Sequence, residues 1–186
     1  EGADLGSVAH LDLDHSVTIY GNGAYISAGE RDFSVEQYVA LTSDINVVIY
    51  NLHGVALWGT RTTEYTFNAT LYNCNNIGRY YINGTTGVNN VSFYNCSADK
   101  ATLIGDTVIY SNANGSILVD GFTFKNIGCP VNLNHKVAGT QKVTVLNSTF
   151  IDCATDGTAA YYAPIRLYNS VEGANQQINV SGNTFT

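Results

Sequence analysis

The chain has no methionine, a single tryptophan and few charges, which make up 12 % of its 186 residues. Segments with a 3.6-residue apolar period and Lys/Glu-rich faces are missing, which argues against helical architectures. Positive charge is scarce: eight Lys and Arg stand against 15 Asp and Glu, for a net charge of −7. A nucleic-acid binder needs clustered bases to neutralise phosphates. The eight here are scattered, so nucleic acid is excluded as a partner. No apolar run approaches the ~20 residues that span a bilayer, so no membrane span is expected in this chain. The opening Glu1-Gly2-Ala3-Asp4 lacks the charged start and apolar stretch of a signal peptide. The final Asn183-Thr184-Phe185-Thr186 follows directly on a strand-like segment. We expect residues 1–186 to form one domain, a mature or trimmed piece of a longer surface protein with adjoining modules at both ends.

What the chain does have is 13 Tyr, 18 Gly and an abundance of Asn, Thr, Ser and Val. Val, Thr, Tyr and Phe favour strands, whereas Gly and Asn punctuate turns. The expectation is a nearly all-β protein.

One segment type recurs along the chain. It reads Val17-Thr18-Ile19-Tyr20, Val47-Val48-Ile49-Tyr50-Asn51-Leu52, Ala69-Thr70-Leu71-Tyr72-Asn73-Cys74 and Val91-Ser92-Phe93-Tyr94-Asn95-Cys96. Looser copies follow at 122–127, 148–153 and 183–186. Aligned on the third position, the apolar column is Ile19, Ile49, Leu71, Phe93, Phe124, Phe150, Phe185, at spacings of 30, 22, 22, 31, 26 and 35 residues. Two positions later stand Gly21, Asn51, Asn73, Asn95, Asn126 and Asp152, and one further on Asn22, Leu52, Cys74, Cys96, Ile127 and Cys153.

The variable spacing decides the architecture. Leucine-rich, ankyrin and tetratricopeptide arrays hold a nearly fixed period, and a propeller blade needs roughly 40 residues. A stacked parallel β-helix keeps its strands in register while its turns swell freely. A second strand is expected in most coils, at residues 54–58, 79–82, 101–104, 131–133 and 165–167. The predicted fold is therefore all-β, a right-handed parallel β-helix of about six coils with irregular coil length. Six rungs at ~4.8 Å make a rod roughly 30 Å long. The Asn column is given a structural role, since Asn tolerates left-handed backbone angles at strand ends.

At this point the chain resembles the pectate-lyase-like superfamily of right-handed β-helices. Val17-Thr18-Ile19-Tyr20-Gly21-Asn22-Gly23-Ala24-Tyr25-Ile26 is similar to an early coil of those proteins, and the Phe/Tyr-x-Asn-Cys repeats are similar to later ones. The resemblance covers residues 15 to 186. It implies the fold, while the superfamily spans pectate lyases, polygalacturonases, phage tailspikes and surface adhesins, so fold alone selects no activity.

The lyases of that superfamily use Lys or Arg as base, with acids holding calcium against the substrate carboxylate. The residues offered for such chemistry are Asp99, Lys100, Asp120 and Lys125, with Asp106, Asp12 and Asp14 as further acids. No two acids share a column on consecutive coils, and solvated turn charges account for them more simply. Calcium is expected only if the chain is a lyase; otherwise neither a cofactor nor a metal is expected. The polygalacturonase pattern finds partial echoes in Ala154-Thr155-Asp156-Gly157 and Arg166-Leu167-Tyr168, without Gly-His-Gly. No Ser/His/Asp motif, phosphate loop or dinucleotide fingerprint is present.

Cys74, Cys96 and Cys153 fall in one column, with Cys129 two residues beyond it. Stacked side chains point in parallel, which suits buried free thiols better than a disulfide. There is no Cys-x-x-Cys, and no His lies near a Cys in sequence.

Aromatics offer the better lead. Tyr20, Tyr50, Tyr72 and Tyr94 share a column next to the apolar one, and adjacent strand residues face opposite ways. If the Phe93 column is inside, these tyrosines form an outer stripe roughly 14 Å long. Such a ladder suits sugar stacking or burial under a partner, unless the segment from Thr60 to Phe67 folds over it. Tyr80-Tyr81 and Tyr161-Tyr162 add aromatic surface in the longer loops. Asn-x-Ser/Thr occurs at Asn68, Asn83, Asn90, Asn95, Asn114, Asn147 and Asn179, a consequence of composition that matters only in a glycosylating host. The function expected is an extracellular, adhesin-like cell-surface module that binds a glycan or host surface without catalysis. The alternatives are a polysaccharide lyase or glycoside hydrolase acting on acidic polysaccharide, and a non-binding spacer in a surface or phage-tail fibre.

Overall fold

The computed structural model describes residues 11–26, 33–99, 107–155 and 163–186. Strands, numbered along the chain, stack in parallel into three sheets. The first sheet holds β1 (Leu11–Asp12), β3 (Phe33–Val35), β5 (Ala56–Arg61), β7 (Arg79–Gly84), β10 (Ile109–Ser111), β13 (Val131–His135) and β16 (Ile165–Asn169). The second holds β2 (Val17–Tyr20), β4 (Ile45–Tyr50), β6 (Thr66–Tyr72), β8 (Val88–Tyr94), β11 (Asn114–Asp120), β14 (Gly139–Leu146) and β17 (Ala174–Ser181). The third holds β9 (Ser97–Asp99), β12 (Thr123–Lys125), β15 (Thr149–Ile151) and β18 (Thr184–Phe185). Through β6 the chain alternates between the first and second sheets, and from β7 onward it visits first, second and third sheet in turn before climbing one rung. This is the expected parallel β-solenoid. Among the described residues no helix is long and apolar enough to cross a membrane.

The core follows from strict alternation. In β6 and β8 every second residue is buried, so Phe67, Ala69 and Leu71 point inward while the intervening residues face out. Ile49, Leu71, Phe93, Val119 and Val145 form one such inward column, paired rung to rung. The sequence alignment departs from the structure at this point. Phe93 is followed by Val119, an interval of 26 residues rather than 31. Phe124, Phe150 and Phe185 belong to the third sheet, where Phe124 pairs with Ala98. Both strand types end in an apolar residue, an outward residue and a left-handed turn residue, and that shared grammar merged two columns into one.

The turn residues show why. Asn51, Asn73, Asn95 and Asn147 have φ between 49° and 53° at the end of second-sheet strands, and Gly121 (φ 67°) takes the same place. Asn126 (φ 57°) and Asp152 (φ 47°) do the same work at the end of the third sheet. Asn and Asp visit this region more cheaply than other residues with a Cβ. Each turn is stitched to the next rung, as in Asn51 N–H to Tyr72 C=O at 3.0 Å and Asn73 N–H to Tyr94 C=O at 2.9 Å.

Other expectations shift by a few residues. The second strand placed at 54–58 runs over Ala56–Arg61, and those at 79, 131 and 165 begin as expected but run longer. The one placed at 101–104 lies outside the described residues; that coil contributes β10 to the first sheet. Cys74 and Cys96 do share a column, but their next members are Phe122 and Ser148, set by Thr123 N–H to Cys96 C=O and Thr149 N–H to Phe122 C=O. Cys153 sits at the other corner, where Ala154 N–H donates to Ile127 C=O. All four thiols are free, with Cys74, Cys96 and Cys129 buried. A hydrogen bond with Cys74 and burial push the Cys96 thiol up, away from the reactive thiolate.

Ile178, Val180 and Phe185 continue inward columns yet are 55 %, 42 % and 54 % exposed. The outer edge of β17 has no strand beyond it among the described residues.

Candidate functional site

The tyrosine column is real and faces outward. Each of Tyr20, Tyr50, Tyr72 and Tyr94 is the last residue of its strand, opposite in pleat to the buried Ile49, Leu71 and Phe93. Ring centroids are 5.2, 4.9 and 5.0 Å apart, with planes within 10° of parallel. Tyr20 is 68 % exposed, and the other three are half-buried. The segment from Thr60 to Phe67 does not fold over them. It ends β5 and begins β6, whose last residue, Tyr72, lies about 20 Å away along the strand.

The stacking also fixes what the row can offer. Rings that lie face to face along the rod spend their π faces on one another. A ligand meets ring edges and hydroxyls instead, except at the exposed end ring of Tyr20. Offset stacking of this kind contributes roughly 0.5–1.5 kcal/mol per pair.

Beside the tyrosines runs an outer row of amides that the sequence reading missed. Ser16 Oγ accepts from Asn46 N–H at 2.9 Å; Asn68 Nδ2 donates to Asn46 Oδ1, and Asn90 Nδ2 to Asn68 Oδ1, both at 2.9 Å. Ser116 Oγ closes the row on Asn90 Oδ1 at 2.8 Å. The signal was the alternation Asn46-x-Val48-x-Tyr50, Asn68-x-Thr70-x-Tyr72, Asn90-x-Ser92-x-Tyr94. These bonds occupy the amide nitrogens of Asn68 and Asn90, and those of Asn114 and Asn147 are likewise donors, to Ala138 C=O and Asp120 Oδ1. Four of the seven glycosylation acceptors are thus already engaged in the fold.

A second aromatic face lies on the outside of the first sheet. Trp58 pairs in register with Tyr81 and Tyr81 with Tyr110. Tyr81 and Tyr110 stack at 4.4 Å. The Arg79 guanidinium lies 4.2 Å over the Tyr81 ring, and that of Arg166 lies 4.1 Å over Tyr168. Burial, with Tyr81 and Tyr168 nearby, pushes the Tyr110 phenol up to about 12. Tyr80 and Tyr81 are therefore not loop aromatics. Both lie in β7, Tyr81 facing out and Tyr80 fully buried. Tyr161 and Tyr162 lie outside the described residues.

The residues offered for lyase chemistry fall on two surfaces. Asp99 and Lys125 pair across adjacent third-sheet rungs and form an ion pair of 3.7 Å, with Asn126 Nδ2 donating to Asp99 Oδ1 at 3.4 Å. Asp120 stands instead at the end of β11, the rung next to Tyr94 in the tyrosine column. Lys100, Asp106 and Asp156 lie outside the described residues. Among the described residues no three of His, Cys, Asp and Glu cluster as a metal site. Comparison with family models, curated proteins and solved structures finds no match to this chain.

Proposed function

We propose that the chain is an extracellular, adhesin-like surface module that binds a glycan or host-surface ligand without catalysis. The observation that carries the reading is the outward tyrosine row, four rings at rung spacing on one sheet, flanked by the amide row. A periodic surface suits a periodic ligand. A linear polymer laid along the rod meets a tyrosine hydroxyl at each of the four rungs and an Asn side chain at the rungs of Tyr50, Tyr72 and Tyr94, so its affinity rises with length up to the span of the row. The likeness to right-handed pectate-lyase-like solenoids belongs to the same proposal, supported by three parallel sheets and left-handed Asn turns. So do the adjoining modules, since an apolar last rung with an open strand edge invites further pairing. That open rung also favours a second reading, a spacer in a fibre with no ligand of its own.

The test is a polysaccharide and oligosaccharide screen that reads binding and product release together, with and without calcium. Binding without turnover, abolished by Tyr50→Ser, Tyr72→Ser and Tyr94→Ser together, is the expected result. Release of unsaturated or reducing sugars would establish the polysaccharide-lyase or hydrolase alternative and direct attention to Asp99, Lys100, Asp120 and Lys125. Silence on both counts would leave the spacer.

A further inference from the structure

On each second-sheet strand the amide and tyrosine rows stand four residues apart, about 13 Å. Between them runs a third outward column, Thr18, Val48, Thr70 and Ser92, aligned rung to rung. No member is larger than valine. The face therefore carries a shallow trough along the rod, with the tyrosines as one wall and the amide row as the other. At the fifth rung Leu118 raises the floor and Asp120 replaces the tyrosine. At the other end Tyr20 is 68 % exposed.

The trough is lined with uncommitted hydroxyls. Those of the four tyrosines and of Thr18, Thr70 and Ser92 make no hydrogen bond among the described residues. Each is donor and acceptor at once, as is every hydroxyl of a sugar. The Val48 and Thr70 methyl groups offer apolar contact to sugar C–H groups. Ring spacings of 5.2, 4.9 and 5.0 Å match the advance per sugar of an extended, equatorially linked hexopyranose chain, which places one sugar on each rung.

Charge then selects the class of chain. Every outward position on these four rungs is uncharged. Among the described bases, Arg61 is buried against Glu36, Arg79 and Arg166 lie over tyrosines of the first sheet, and Lys125 pairs with Asp99 on the third. Lys136 follows β13 of the first sheet, and Lys142 stands two rungs beyond Asn90. The charges that adjoin the trough are acidic, Asp120 beside Tyr94 and Asp44 two residues before Asn46, or paired, as Asp14 is with His15. A carboxylate-bearing chain laid here would give up hydration and meet acids without a counter-charge. A neutral chain bears neither cost.

We infer, resting on the glycan-binding reading above, that the trough takes a neutral, extended hexopyranose chain, one sugar per rung from Tyr20 to Tyr94. The sugars lie on the Thr18–Ser92 floor, edge-on to the tyrosine wall.

The experiment is calorimetric titration of the full chain with cello- and manno-oligosaccharides of increasing length. Beside them run oligoglucuronates and oligomannuronates, which share the linkage and add only a carboxylate per sugar, all at low and high salt. The neutral series is expected to bind, with affinity rising up to about four sugars and then levelling, and with no response to salt. The acidic series should bind at least about tenfold more weakly. Thr70→Trp and Val48→Trp each fill the floor from an outward position; whichever keeps the parent circular dichroism should bind the neutral series about tenfold more weakly. Acidic chains that bind as well or better, still abolished by the triple tyrosine variant, overturn the inference and leave the glycan-binding reading standing. Undiminished neutral binding by a folded floor variant does the same. Silence of both series also overturns it, and silence across the wider polysaccharide screen removes the glycan-binding reading as well.

Discussion

Two aromatic rows run along this rod, and they differ in what surrounds them. Inside the third sheet Phe124 stacks on Phe150 at 4.9 Å, and Phe150 on Phe185 at 4.8 Å. Outside the second sheet the tyrosines stack at nearly the same distances. Rung spacing sets both, since equal residues on successive parallel strands are carried into contact whatever face they occupy. The pleat decides the rest. The inward rings of Phe124 and Phe150 are buried and hold the coils together, while outward rings keep edges and hydroxyls in solvent and stay available to a partner.

The comparison breaks first on stability. Phe150→Ala is expected to cost about 3–5 kcal/mol in chemical unfolding, the range for an aromatic removed from a packed core. Tyr72→Ala, which loses two stacking contacts and a half-buried ring, should cost less, about 1–3 kcal/mol. Equal losses would mean that the outer row is in truth a covered core.

The corners should be more alike than the rows. Asn73 and Asn126 each hold a left-handed φ, one after the tyrosine row and one after the phenylalanine row. Asn73→Ala and Asn126→Ala should each lose about 1–2 kcal/mol, and the Gly variants much less. A large difference between the two would show that one corner depends on its side chain's bonds, such as that from Asn126 to Asp99.

The smallest effect separates charge from packing. His135 is buried, with Nε2 at 2.9 Å from Asn114 Oδ1, and burial lowers its pKa from the ordinary value. The unfolded chain therefore takes up a proton at about pH 6.5 that the folded chain resists. The stability this preserves is complete above that pH and declines as the pH falls below it. Unfolding titrations between pH 7 and 5 should show the decline, and His135→Gln should flatten it.

Much of this was legible in the residues. The repeats around Tyr50, Tyr72 and Tyr94 predicted stacked parallel strands, an outward tyrosine column and left-handed Asn turns, because each is a local consequence of alternation and backbone preference. The reading faltered where two corners of one coil share a pattern. Phe93 and Phe124 are both followed two residues later by Asn, and sequence similarity cannot tell a step up one rung from a step around one corner. Cys153 was misplaced for the same reason. Glu36 and Arg61 lie 25 residues apart with no motif around them, and the Arg79–Tyr81 and Arg166–Tyr168 contacts were legible only once alternation had been assigned strand by strand.

By itself, then, the sequence determined the class of fold, the rung-by-rung stacking of like residues and the positions of the turns, since these depend on periods of two and on single-residue φ preferences. Tertiary structure alone decided which sheet each late repeat joins, that Tyr80 is core while Tyr81 faces out, and which polar side chains are enclosed. Those outcomes depend on hydrogen-bond register between coils some 22 to 35 residues apart, and on the closing of three sheets around one interior.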